Sequence, residues 1–373
     1  SHENITEDDL IISLKEMQNF IGEIYDRLSF FEVATLLALV IFSKKNTAIN
    51  ILEVGLGGRL DATNIVDPIA SVIVSLGLDH QNILGESLAE IAYEKIHIGR
   101  KGRPLFLGSG FSEYRSCDKI EKTLVKLQEK IGFNVINSSE NVSVSGNKIF
   151  LQISENKKME LFLPKKIMSL PNIIQNNFSL ALLIFSWVLD NYLDSFSSLK
   201  RIGAIELVRN ASYLFDQKGY SWPSTLVARF QKVSLPINSQ NRDFIFDVCH
   251  NSASCLEFLN SIRTYSKHQN FKKFPAFVSI LADKNINQIL DKLREVLDPL
   301  FLFKVQSSRS LSQENISTRH KDLLPVHRNF TDAWEKNKLN IEKSNQPCVI
   351  CGSFYGVGEA FRFFSIDLNE LGQ

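Results

Sequence analysis

Two short runs hold the residue types and spacings that could do chemistry. The first is Glu53-Val54-Gly55-Leu56-Gly57-Gly58-Arg59-Leu60-Asp61-Ala62-Thr63-Asn64, directly after the apolar stretch Ile49–Leu52. Ligands of open α/β sheets collect at the carboxyl ends of strands, and glycines there let backbone approach a ligand closely. The spacing is not a dinucleotide fingerprint, because no third glycine falls in the required place. The residues alone leave two readings open, a ligand cradle and a plain glycine-rich turn. The second run is Leu76-Gly77-Leu78-Asp79-His80-Gln81. Glu53 and His80, each just past a strand, could share a Mg2+, although that ion prefers oxygen ligands and keeps waters. A histidine in a turn is more often simply solvated or hydrogen-bonded, and spacing does not separate the two cases.

The elements that must position these runs read as alternating strand and helix. Ser29 and Glu32 form a capping box ahead of an apolar helix over Phe30–Phe42. Strands are predicted at Ile49–Val54, Ala70–Leu76 and Pro104–Leu107, with a helix from Ser87 to His97 between the last two. That alternation implies a parallel sheet with crossover helices. Asn134–Phe162 reads as a β meander and Ile173–Tyr192 as a helix. Gly219-Tyr220-Ser221-Trp222-Pro223 breaks the chain, so the domains are placed at 1–218 and 219–373. Beyond it, strands at Asp243–Val248, Phe277–Leu281, Leu300–Val305 and Cys348–Cys351 alternate with helices near 253–266, 287–296 and 357–364, a second α/β domain.

Composition narrows the function classes. The 373 residues suit two or three domains, and 44% hydrophobic with 22% charged residues excludes a disordered or fibrous chain. Lys plus Arg number 42 against 41 Asp plus Glu, a net charge of +1, so nothing advertises a nucleic-acid or anionic-membrane partner. The longest apolar run, Val33–Phe42, is too short to span a bilayer. Five scattered cysteines fit a reducing compartment, and with no signal-peptide pattern the expectation is a cytoplasmic protein. Cys348-Val349-Ile350-Cys351 reads as plain strand, since residues three apart face opposite sides. The basic cluster Arg309–Lys321 lacks the aromatics that stack on bases and reads as a solvated loop.

Together these motifs resemble the bacterial dihydrofolate synthase and folylpolyglutamate synthase family, a branch of the Mur-type ATP-dependent amide ligases. The resemblance rests on Glu53–Asn64, Leu78-Asp79-His80 with Leu84-Gly85, and Glu94-Lys95. Phe31-Glu32 with Thr35, Trp222-Pro223, Arg229-Phe230, Asp247 with His250-Asn251, Leu281-Ala282-Asp283-Lys284 and Gly352-Ser353-Phe354-Tyr355 follow in the family's order. It covers essentially the whole chain. It implies a Mur-ligase-like parallel-sheet ATPase domain followed by a smaller Rossmann-like ligase domain. It also implies a monomer acting on small molecules: ATP phosphorylates a carboxylate of a pteroate or folate, and L-glutamate attacks the acyl phosphate. By the same resemblance Glu53 and His80 would hold Mg2+, and Lys95 would match a lysine that is often carbamylated. Asp247 and His250 would close over ATP and glutamate, Arg229 would reach the nucleotide phosphates, and Asn177 would lie near adenine. Arg59 and Asp61 would meet the pteroate or folate, and Ser353 would touch substrate or, more simply, cap the helix that follows.

The departures set a second expectation. The family's Gly-x-x-Gly-Lys-Gly-Ser/Thr phosphate loop does not occur in this sequence; it belongs upstream of Ser1, so the first domain reads as truncated. Such a loop offers backbone N–H groups and a lysine to the β- and γ-phosphates, so weak ATP binding and little turnover are expected of this chain. Ile173-Ile174 replace His-Gln, Ile96-His97 replace Ala-Gly after Lys95, and Val248 replaces the glycine after Asp247. A glycine needing positive φ would make valine costly there. The alternative is a diverged, non-catalytic relative that binds folate or a partner protein.

Overall fold

The computed structural model describes residues 5–163, 165–168, 172–192, 227–238, 240–269, 271–342, 344 and 346–367. The chain break at 219–223, with Trp222-Pro223 and the domain boundary placed there, lies outside the described residues.

Helices α1 (Glu7–Ile21) and α2 (Phe30–Lys45) pack as an antiparallel pair at the start. The predicted capping box is present: Ser29 N–H donates to Glu32 at 2.7 Å, and Glu32 N–H donates back to Ser29 Oγ. The glycine-rich loop leads into β1 (Ser71–Ser75), α3 (Leu88–Ile96), β2 (Pro104–Gly108), α4 (Asp118–Ile131) and β3 (Asn134–Asn137). These strands form a parallel sheet in the order β1-β2-β3. Ile73, Leu105 and Leu107 on one face pack with Ile91, Ile96, Leu124 and Leu127 of α3 and α4.

An antiparallel sheet of β4 (Val142–Ser145), β5 (Lys148–Ser154) and β6 (Lys157–Phe162) follows. Its inner residues Ile149, Leu151 and Leu161 meet Phe106 of β2 and Leu183 of α5 (Asn172–Tyr192). Of the described helices, α5 alone is long and apolar enough to cross a membrane, but it packs in this core against β5.

Two expectations are corrected here. Ile49–Val54 forms no strand: it runs beside no ladder partner among the described residues, and Ile51 stays 87% exposed. Apolar sequence without a neighbouring strand to take its backbone hydrogen bonds makes no sheet. Asn134–Asn137 is not the first limb of the meander; it pairs in parallel with β2, and only 142–162 are antiparallel.

The second domain is a five-stranded sheet in the order β10-β9-β11-β8-β7. Its strands are β7 (Gln231–Ile237), β8 (Gln240–Asp247), β9 (Phe274–Val278), β10 (Leu297–Leu302) and β11 (Cys348–Cys351). Only edge strand β7 is antiparallel. Helices α6 (Ser252–Gln269) and α7 (Ile286–Leu293) cover one face, α8 (Phe330–Glu342) and α9 (Phe354–Phe363) the other. Strands buried on both faces read as continuous apolar runs, which is why they are visible in the sequence. Cys348 lies in one apolar layer and Cys351 in the other, as expected of plain strand. Burial pushes the Cys348 thiol up, away from redox chemistry.

Candidate active site

Three pieces of the first domain meet around the last turn of α3. Gly57 takes a φ of +67°, and a Cβ there would lie 2.7 Å from Leu84. Only glycine allows this turn to close on its neighbour at ordinary cost. The loop then docks on α3 through Arg59 N–H to Glu94 O at 2.9 Å, with the Arg59 side chain on the Glu94 carboxylate at 3.0 Å. Asp61 directs both oxygens into the loop: Leu56 N–H at 2.9 Å on one, Thr63 N–H and hydroxyl on the other. Burial opposes its charge, but these donors win and hold the carboxyl below its ordinary range. A cavity of about 400 Å3 opens between this loop and the first helices, lined by Leu28, Glu32 and Leu36 on one side and Arg59, Asp61 and Ile65 on the other.

Lys95 sits half-buried at the end of α3. Burial pulls its amine below the ordinary lysine range, and the nearby Asp79 carboxylate opposes this only in part. Glu53 and His80 are both exposed, and no hydrogen bond or ion pair with a described residue occupies the Glu53 carboxylate. Among the described residues no group of three or more His, Cys, Asp or Glu is gathered for a metal. The Glu53 carboxylate is open to a divalent cation, whereas His80 Nε2 lies 3.8 Å from Asp79 Oδ2.

The second domain supplies its part from the carboxyl ends of β8, β9 and β11. At Ala228 and Phe230 the backbone turns left-handed, with φ of +63° and +47°, and Arg229 stands between them. Phe230 N–H donates to Asp247 Oδ2 at 2.8 Å, Ala228 N–H to Gln231 at 2.8 Å, and Val248 N–H to Ala228 O. Arg229 thereby projects over the exposed Phe354 ring, 5.7 Å from its centroid, and His250 approaches the same ring at 6.0 Å. Asp247 is buried behind this turn. Burial raises its carboxyl to about 6 against the opposing effect of Phe230 N–H and the Arg229 charge. Val248 is fully buried and does not have positive φ, so the expected cost of losing a glycine is not incurred. His250 Nδ1 lies 2.9 Å from Val248 O, so Nδ1 donates there and Nε2 turns to the cleft. Ser353 is buried, and its hydroxyl accepts Gly356 N–H at 3.0 Å as the N-cap of α9.

The two domains meet through a residue to which sequence reasoning gives no role. Asp79 Oδ1 accepts from Lys284 Nζ and Oδ2 from Asn251 Nδ2, each at 2.7 Å, with His250 Nε2 3.5 Å away. Burial would raise this carboxyl, yet His250, Lys284 and Asn251 hold it well below the usual carboxylate range. Asn177 is exposed on α5, near a second cavity of about 300 Å3 lined by Asn172 and Ile173 of α5 and by Glu257, Asn260, Arg263 and Lys267 of α6. The structure thus gathers Lys95, Asp79 and the glycine-rich loop in the first domain and Arg229, Asp247, His250 and Phe354 in the second, with His250 reaching Asp79 across the cleft.

Two α/β domains facing each other by the carboxyl ends of their strands form the two-domain fold of Mur-type ligases. A solved bifunctional folylpolyglutamate synthase/dihydrofolate synthase with Mn, AMPPNP and L-glutamate bound superposes with a TM-score of 0.70 at 26% identity, covering 98% of this chain and 78% of that one. No family model matches the chain. The dihydrofolate synthase/folylpolyglutamate synthase of Buchnera aphidicola subsp. Baizongia pistaciae is 30% identical over 342 residues, 91% of this chain and 70% of that protein. Its counterpart in Escherichia coli K12 is 27% identical over 345 residues, 92% of this chain and 71% of that protein. The chain belongs to the dihydrofolate synthase/folylpolyglutamate synthase family of ATP-dependent ligases.

Proposed function

We propose that this chain joins L-glutamate to the carboxylate of dihydropteroate or a folate, using ATP and Mg2+ through an acyl phosphate. The observation that carries the reading is the cleft in which Lys95 and Asp79 of one domain face His250, Asn251 and Lys284 of the other. A carboxylate has no leaving group, and phosphorylation supplies one before the amine attacks. The solved relative holds a nucleotide analogue, Mn and L-glutamate, which supports the same ligand classes here.

The cavity beside the glycine-rich loop would take the aromatic part of the pteroate. Leu28, Leu36 and Ile65 offer it apolar walls, and Arg59, Asp61 and Glu32 border it with charge. Glu53 and His80 would hold the divalent cation, which, when bound, offsets charge on the transferring phosphoryl group. Arg229, aimed by the turn tied to Asp247, would meet nucleotide phosphate, and Asn177 would lie towards the adenine. His250, with Nε2 turned to the cleft beside the Asp79 carboxylate, would face the incoming L-glutamate. Lys95, with its amine held towards the neutral form, is suited to carbamylation, since only the free base attacks carbon dioxide. The two domain units at 1–218 and 219–373 belong to the same proposal.

Substrate must be held before any product can form, so binding and turnover are read in turn. The test is therefore binding first and product second. Calorimetry should show saturable binding of dihydropteroate or folate that Leu36→Trp, which fills the cavity, abolishes. Mass spectrometry should then find glutamylated product accumulating only with ATP, Mg2+ and L-glutamate. If neither dihydropteroate nor folate binds, the assignment is wrong.

A further inference from the structure

We propose that Asp79 is a positioning residue that fastens the first domain to the substrate-facing turns of the second, fixing the His250-Asn251 turn and Lys284 across the cleft. Its place in the reaction rests on the ligase reading; the contact itself does not. His250, Asn251 and Lys284, 171 or more positions along the chain, all reach this carboxylate from the other domain, while the neighbouring His80 N–H donates to Oδ1 at 2.9 Å from its own side. The Lys284 side chain is only 13% exposed. A charge-assisted bond in such shelter is stronger and less screened than a surface ion pair.

The partners are themselves aimed. Asn251 Oδ1 accepts from Ser254 N–H at 2.8 Å and from the Ser254 hydroxyl at 2.9 Å, which turns the amide NH2 towards Asp79. The Ser254 hydroxyl also receives the N–H groups of His250 and Asn251, each at 3.1 Å, so the turn moves as one piece. Lys284 is held by its N–H on Leu281 O at 3.1 Å, while Ala282 N–H bonds Arg309 O at 2.7 Å. Removing Asp79 therefore frees two preformed turns at once. Removing Lys284 in turn leaves Asp79 Oδ1, in the 77–84 turn, without its lysine across the cleft.

Hydrogen–deuterium exchange on the unliganded protein reads this without needing activity. Asp79→Asn, nearly isosteric, should raise exchange about tenfold or more in residues 249–254 and 281–285. Lys284→Met should do the same in residues 77–84 of the other domain. Lys284→Arg, which keeps the charge, should retain the wild-type pattern, a rescue that mere side-chain packing would not give. The double variant Asp79→Asn/Lys284→Met should exceed the larger single effect by less than about twofold. Unchanged exchange in β2 and β9 shows that the domains stay folded. Effects confined to the domain carrying each substitution, additive effects in the double variant, or failure of Lys284→Arg to protect would each overturn the proposal. Loss of folate binding with this pattern intact would count against the ligase reading alone.

Discussion

Replacing Asp247 by asparagine should stabilise the protein at neutral pH and flatten part of its pH dependence. The carboxyl is 7% exposed, and burial raises it from 3.8 to about 6. The folded state thus keeps a proton that the unfolded chain loses. Where only the folded state holds it, stability falls as pH rises. The loss begins near the unfolded value, continues to about 6 and is constant above. A rise of this size is worth about 3 kcal/mol at pH 7. The amide oxygen of the Asp247→Asn variant can still accept Phe230 N–H, so the turn at Arg229 keeps its anchor. The assay is urea unfolding between pH 4 and pH 8, followed by Trp334 fluorescence in a Trp187→Phe/Trp222→Phe background. Trp334 reports the second domain's core. Subtracting wild type from variant cancels every other titrating group. The variant should gain about 2–3 kcal/mol at pH 7 and almost nothing at pH 4. A difference independent of pH, or a variant less stable at pH 7, would refute the argument that burial dominates this carboxyl.

Other consequences can be checked separately. With 13C-labelled bicarbonate at pH 8, a carbamate carbon signal should appear in the wild type and vanish in Lys95→Met, because burial favours the neutral amine there. Gly352 has a φ of +107°, and a Cβ would lie 2.4 Å from Ser279 O, so Gly352→Ala should cost about 2–4 kcal/mol in chemical unfolding and loosen the Ser353 cap. Phe354 is 60% exposed, so Phe354→Ala should leave the melting temperature within about 2 °C of wild type. The same variant should weaken nucleotide binding severalfold in calorimetry, through the lost support for Arg229.

Legibility in the sequence follows burial. The strands and helices of the second domain show as apolar runs of the right length because both faces of their sheet are covered. Ser29/Glu32 and Ser87 with Glu90 mark helix starts that are local chemistry and need no tertiary partner. Ile49–Val54 reads as a strand only when apolar content is counted without the pairing that makes one. Helices α4 and α8 escape such a reading although their apolar residues fall at helical spacing, in stretches that are polar on average. Among site residues, the glycine-rich loop and the Asp247–Asn251 turn are visible as motifs. Asp79 lies inside a motif yet gains no role from it, because its meaning comes from Lys284, a contact 205 positions away. The order of motifs shows what a family shares; only the folded chain shows which motifs touch.

The turn around Arg229 has a thermodynamic corollary. Two side-chain-bearing residues, Ala228 and Phe230, occupy the half of backbone space that suits glycine. Each such placement costs on the order of 1 kcal/mol or more. A single change of Ala228 to glycine would recover part of that energy. A chain with alanine there gives up resilience for a guanidinium whose direction is set by its backbone and not by a rotamer. The second domain therefore carries a small standing debt in folding free energy at the spot where Arg229 is pointed at the cleft.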